Sequence, residues 1–103
     1  NNVFVSCSNM KTDPYAYLAN LDWSQVAEIH LAGHTLKKLP QGHIRIDTHN
    51  KPVCDEVWAI VNNYRDTLAQ IPCLIEWDAD IPSLDVLLAE ATKADQHLGL
   101  AYA

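Results

Sequence analysis

Basic residues are scarce in this chain. Seven Lys and Arg stand against 13 Asp and Glu, for a formal net charge of -6 with the five histidines neutral. The few cations are scattered, which argues against nucleic-acid binding, since that affinity rests on clustered positive charge. Cysteine is also scarce and odd in number. Cys7, Cys54 and Cys73 are too few and too far apart for the disulfide framework of a small secreted domain, and they lack the paired spacing of a zinc ribbon. They read as reduced thiols of a cytoplasmic protein. No apolar run approaches the ~20 residues that span a bilayer, so no membrane partner is expected. No basic start followed by an apolar stretch marks a signal peptide. An initiating Met is missing too: Asn1-Asn2 leads at once into an apolar run, as in the interior of a longer protein.

What is present is a chain of 103 residues, 49% hydrophobic and 19% charged. That composition excludes disorder, and the length allows one core rather than two. Residues 3–7 are β-branched and aromatic and predict a first strand. Asp13-Pro14 marks a short helix, with the Asp as cap and Pro at the first helical position. Residues 26–31 predict a second strand closed by Gly33, 35–42 a polar loop, and 43–49 a third strand. Pro52 opens the longest helix, to about residue 70. Val57, Ile60, Val61, Tyr64 and Leu68 recur in it at helical spacing. Residues 73–78 predict a fourth strand. Ser83 caps a last helix with Leu84, Leu87, Leu88 and Ala91 turned inward. Strands alternating with helices imply parallel pairing and an α/β fold.

Period-two alternation assigns the polar residues of these strands to faces. Glu28 and His30 share one face of strand two. Arg45, Asp47 and His49 share one face of strand three, and Leu74, Glu76 and Asp78 one face of strand four. Three successive strands thus each place a His or carboxylate near their C-terminal ends: His30, then Asp47 and His49, then Glu76. The C-terminal ends of strands are where α/β folds build their sites. Imidazole with carboxylate is ligand chemistry for Fe, Mn or Zn. The set could serve one metal or half of a multinuclear cluster. The alternative is a structural polar network in which Asp47 and His49 satisfy each other. His34 falls in a loop at the mouth of the site. Asp78 would stand behind the ligands, and Asp80 reads as a turn residue before Ile81-Pro82. His43 and His97 are expected at the surface.

Asn1-Asn2-Val3-Phe4-Val5-Ser6, Glu28-Ile29-His30-Leu31-Ala32-Gly33-His34, Ile46-Asp47-Thr48-His49 and Leu74-Ile75-Glu76-Trp77-Asp78-Ala79-Asp80-Ile81-Pro82 follow one another in order. Together they resemble the C-terminal part of the multinuclear non-haem iron-dependent oxidases, the family of the methanobactin-biosynthesis enzyme. The resemblance covers nearly the whole chain. It implies a xylose-isomerase-like TIM (β/α)₈ barrel, of which residues 1–103 would form the last three or four βα units of a single domain. It makes His30, Asp47, His49 and Glu76 iron ligands. Asn2 falls where some members have a ligand His and others an Asn. His34 and Asp78 would tune the ligands from outside. The cofactor implied is two or three iron ions, with Mn or Zn as alternatives. The activity implied is O₂-dependent modification of cysteines in a ribosomal precursor peptide, which a partner protein presents. Part of a barrel would leave open sheet edges and would self-associate through them. Two competing readings are a metal-dependent hydrolase or isomerase on the same kind of barrel, and a non-catalytic α/β domain.

Overall fold

The computed structural model describes residues 1–100. Its centre is a parallel strand pair, β1 (Ile29–Ala32) and β4 (Cys73–Glu76), with His30 opposite Leu74 and Ala32 opposite Glu76. The chain between them forms a hairpin of β2 (Thr35–Leu39) and β3 (Gly42–Ile46), and then two helices, α3 (Asp55–Asn63) and α4 (Arg65–Leu68). Before β1 lie α1 (Asn2–Met10), α2 (Pro14–Ala19) and a 3₁₀ turn at Trp23–Gln25. After β4 comes α5 (Leu84–His97). The architecture is mixed α/β with a parallel pair joined through helices, as the alternation of elements implied.

The core lies on the helix side of this pair. Leu31, Val53, Val57, Trp58, Val61, Leu68, Ala94 and Leu98 are buried together, with Ile29, Cys73 and Ile75 packed against them. Ile29 and Leu31 of β1, with Cys73 and Ile75 of β4, therefore face α3 and α5. The intervening residues face away. No helix of the described residues is long and apolar enough to cross a membrane.

Several expected elements are built differently. Residues 3–7 are helical, inside α1. A strand needs a neighbouring ladder for its N–H and C=O groups, whereas a helix satisfies them within itself. Lys11, at φ 57°, closes α1 in the left-handed conformation, so that its N–H and that of Thr12 fold back to Ser8 and Cys7 carbonyls. Residues 35–39, expected as loop, are strand β2, paired antiparallel to β3 across a two-residue turn, Pro40-Gln41. The third strand therefore leaves the parallel sheet and ends at Ile46. Strand two is shorter than expected, starting at Ile29, and strand four stops at Glu76.

The long helix starts at Asp55 rather than Pro52 and breaks at Tyr64. Asp13 caps α2 as expected, accepting from the Tyr15 N–H at 2.9 Å. Ser83 precedes α5, but its side chain makes no capping hydrogen bond. The inward face of α5 is rotated from expectation: Glu90, Ala94 and Leu98 are buried, while Leu84 and Leu88 are 68% and 55% exposed. Glu90 is held there because its Oε2 accepts from the Val53 N–H at 3.1 Å and its Oε1 meets Lys93 Nζ at 3.2 Å. His97 is half-buried, stacked on the Trp58 ring at 4.6 Å.

Candidate metal centre

His30 projects from the face of β1 opposite the core, and Glu76 from the same face of β4, at the C-terminal end of the pair. Their approach follows from the parallel register, which sets Ala32 beside Glu76 and His30 one pleat before it. His30 Nδ1 contacts Glu76 Oε1, and its Nε2 lies 2.5 Å from Glu28 Oε1.

Asp47 and His49 reach the same place by another route. They follow β3 rather than belonging to it. His49 adopts the left-handed conformation at φ 51°, a backbone state uncommon outside Gly and concentrated at functional sites. Its N–H donates to the Gly33 carbonyl at 3.2 Å, and its carbonyl accepts from the Asp78 N–H at 2.7 Å. One residue thus straddles the segments that leave β1 and β4. Gly33 is required for this. A Cβ there would lie 2.0 Å from the Lys51 carbonyl oxygen, so only glycine lets the two backbones pass. Thr48 and Asn50 brace the turn on its far side. Thr48 Oγ1 lies 2.9 Å from Thr35 Oγ1, and Asn50 Nδ2 donates to Asp80 Oδ2 at 3.2 Å.

The His49 ring is ringed by carboxylates. Nδ1 is 2.7 Å from Asp78 Oδ2 and 2.9 Å from Glu76 Oε2, and Nε2 is 2.7 Å from Asp47 Oδ1. The Asp47 contact is close but misaligned, so the buried Nε2 is left without a hydrogen bond. Donor atoms of His49, Glu76 and Asp78 lie within 4.8 Å of one another. Burial opposes the imidazolium of His49. The hydrogen bond to Asp78 and the charges of Asp47 and Glu76 outweigh that and raise its pKa above the ordinary value. The carboxylates Glu28, Asp47, Glu76 and Asp78 meet the two imidazoles, and no Lys or Arg among the described residues pairs with any of them. Excess negative charge, two imidazoles and an orphaned buried ring nitrogen fit a cation of the Fe, Mn or Zn kind.

The other expected residues are placed as follows. Asp78 stands as close to His49 as Glu76 does, on the exposed rim rather than behind it. Asn2 is exposed at the start of α1 and makes no hydrogen bond to the cluster among the described residues. Its neighbour Asn1 does, donating from Nδ2 to Asp47 Oδ1 at 2.5 Å. His34 is buried and lies off the cluster. Its Nε2 is 2.6 Å from Arg45 Nη1, and its ring packs 5.7 Å from that of Phe4. Guanidinium only donates, so Nε2 accepts and the ring is neutral with its proton on Nδ1. Burial, then the Arg45 charge, lowers the pKa of His34. Sequence reading missed Glu28, Asn1 and Gly33 as parts of the site. Glu28 alone carried a signal, by sharing the face of His30. The Cys54 and Cys73 thiols have raised pKa values, chiefly through burial, and all three cysteines are free.

An apolar cavity of about 450 Å³ adjoins the cluster, with His30, His49 and Glu76 at its polar end and Phe4, Trp23 and Tyr64 among its walls.

Residues 1–99 match the family described as "RiPP precursor modification enzyme MbnB/TglH/ChrH". A UPF0276 protein of Vibrio parahaemolyticus is 49% identical over 94 residues, which is 91% of this chain and 33% of that protein. A UPF0276 protein of Vibrio vulnificus is 50% identical over 95 residues, 92% of this chain and 33% of its own. One from Acaryochloris marina is 45% identical over 98 residues, 95% and 34% respectively. The chain therefore spans about a third of the length of the curated relatives it matches, and no solved structure matches it. It belongs to the MbnB/TglH/ChrH family of RiPP precursor modification enzymes.

Proposed function

We propose that this chain is the C-terminal part of an iron-dependent oxidase that uses O₂ to modify cysteine residues of a ribosomal precursor peptide, presented by a partner protein in the cytoplasm. The observation that carries the reading is the carboxylate-rich cluster at the strand ends, which no Lys or Arg of the described residues pairs with, and in which the buried Nε2 of His49 lacks a hydrogen bond. His30, Asp47, His49 and Glu76 would hold iron, with Asp78 at the rim and further ligands from the rest of a (β/α)₈ barrel. What bound iron supplies is the redox chemistry by which O₂ oxidises a cysteine thiolate.

The chain's own residues prepare that site. A proton on Nδ1 of His49, held by Asp78, leaves the Nε2 lone pair beside Asp47 Oδ1 free to bind a metal. Asn1 Nδ2 donates to the same Asp47 oxygen, Oδ1, and helps to hold that carboxylate in place. The two oxygens of Glu76 reach the two histidines separately, so Glu76 would hold the metal alongside both His30 and His49. The adjoining cavity gives one side of the cluster a largely apolar wall.

The test uses the full-length enzyme and a Cys-containing precursor peptide. Iron content, O₂ uptake and thiol loss are measured for the unaltered protein and for Glu76→Ala, His49→Ala and His34→Ala. Either ligand change should abolish iron retention and O₂ uptake with little change in the melting temperature of the metal-free protein. His34→Ala should cost about 10–100-fold in activity. Glu76→Ala with full iron and activity would remove Glu76 from the site. Activity with Zn in place of iron, without O₂ uptake, would overturn the oxidase.

A further inference from the structure

The segment that carries Asp47 and His49 is fixed at one end by Gly33 and Asp78. Its other end is fixed by α1. Asn9, in the last turn of α1, accepts from the Arg45 N–H through Oδ1 at 2.7 Å and donates through Nδ2 to the Arg45 carbonyl at 2.8 Å. The hairpin register explains why both groups are free. Leu39 pairs with Gly42 across a two-residue turn, and pairs alternate from there between hydrogen-bonded and open, so Arg45, opposite Leu36, points its N–H and carbonyl outward. A carboxamide is the one short side chain that copies a peptide group, donating and accepting together. The Arg45 side chain is held too: Nε donates to Ser8 Oγ at 2.8 Å, Nη1 reaches His34, and the guanidinium lies 5.1 Å over the Phe4 ring.

We propose that Asn9 is a positioning residue for the metal centre: its carboxamide takes both main-chain groups of Arg45 and thereby sets where Asp47 and His49, two and four residues on, meet Glu76. The inference rests on the metal-centre reading above. Asn9 itself is exposed at the surface and makes no contact with the cluster, so its effect passes through the backbone of residues 45–49.

The experiment uses the full-length enzyme, metal-free, titrated with Co(II) alone as a spectroscopic stand-in for ferrous iron, with Asn9→Leu, Asn9→Asp and His49→Ala alongside the unaltered protein. Asn9→Leu keeps the shape and loses both bonds. It should bind Co(II) about 10–100-fold more weakly and show an altered ligand-field spectrum at saturation. Asn9→Asp keeps the bond from the Arg45 N–H and should fall between the two in both measurements. A spectrum recorded at saturation reports ligand geometry, which a merely stabilising surface bond would leave unchanged. If Asn9→Leu and Asn9→Asp match the unaltered protein in affinity and spectrum while His49→Ala loses Co(II), the positioning role is overturned and the metal centre stands. If His49→Ala binds Co(II) unchanged, the metal centre falls, and this inference with it. Should Asn9→Leu not fold, Asn9→Asp decides: unchanged affinity and spectrum overturn the proposal, and a partial loss with a shifted spectrum supports it.

Discussion

The two faces of the β1–β4 pair are made by alternating residues of the same eight positions, and they do different physical work. On the helix side Ile29, Leu31, Cys73 and Ile75 join a core of aliphatic side chains and Trp58. On the other side His30 meets Glu28 and Glu76, and Glu76 meets His49, whose ring also contacts Asp47 and Asp78. Neighbours in sequence therefore differ in physical role, since burial of apolar surface holds the fold while the other face gathers carboxylates and imidazoles that would be costly to bury unpaired. The division is not perfect. Ala32, on the polar face, is 1% exposed, and Leu74 on the same face is 46% exposed. The first is a small side chain, buried beside its register partner Glu76. The second is an apolar residue on the side away from the core.

The largest expected effect separates two adjacent residues. Leu31→Ala should destabilise the full-length protein by about 2–5 kcal/mol, because it removes a buried side chain from a packed core. His30→Ala, one residue away, should empty or weaken the metal site and leave the metal-free protein within about 1 kcal/mol of its original stability. Denaturant unfolding of the metal-free proteins, with metal content measured in parallel, makes the comparison. Equal destabilisation by the two changes would break it, and would make the polar face a structural network.

Gly33→Ala should disturb both faces at once. The new Cβ would sit 2.0 Å from the Lys51 carbonyl oxygen and 2.8 Å from that of Pro52. Relief requires the backbone on which His49 and the entry to α3 both depend to move. The expected cost is about 1–3 kcal/mol of stability or more, together with weaker metal binding, since the Gly33 carbonyl holds the His49 N–H. Unfolding and metal titration on the same variant report the two losses. A variant as stable as the original but defective in metal binding would show that the crossing serves the site alone.

How much of this was legible in the sequence differs between the faces. The alternation in β1 and β4 placed His30 and Glu76 together and Leu31 and Ile75 opposite, because a period of two needs only local geometry. It failed for residues 43–49. Asp47 and His49 reach the cluster through a left-handed turn after β3 rather than by strand alternation, and nothing local distinguishes His49 at φ 51° from a strand residue. Residues 3–7 have strand-like side chains but form α1, since pairing partners are set by the tertiary fold. The turned face of α5 follows from Glu90, whose burial depends on the Val53 N–H 37 residues away. Gly33 was visible only as a strand end, and its steric role depends on Lys51 lying across it. Asn9 gave no signal at all, because its partner is a backbone.

The smallest expected effect is a pH dependence, and it tests how His34 joins the two faces. His34 follows β1 and is buried against Phe4, with Nε2 accepting from Arg45. Its protonated form is disfavoured by burial and by the guanidinium, so its pKa in the folded protein lies below the ordinary value of 6.5. The unfolded chain then binds the proton more readily than the native one. Stability contributed by neutral His34 is fully present above about pH 6.5 and is lost as pH falls through the lower native value. His49 has the opposite slope, because its raised pKa stabilises the metal-free protein below 6.5 and ceases to as pH rises through the native value. Comparing the unaltered protein with His34→Gln cancels the His49 contribution, which both share. The melting temperature of the metal-free full-length protein, followed from pH 7.5 to pH 5, should fall further for the unaltered protein than for His34→Gln. If the two curves run parallel, His34 is not held neutral by Arg45. The link from β1 through His34 and Arg45 to the segment carrying Asp47 and His49 would then rest on packing rather than on a hydrogen bond.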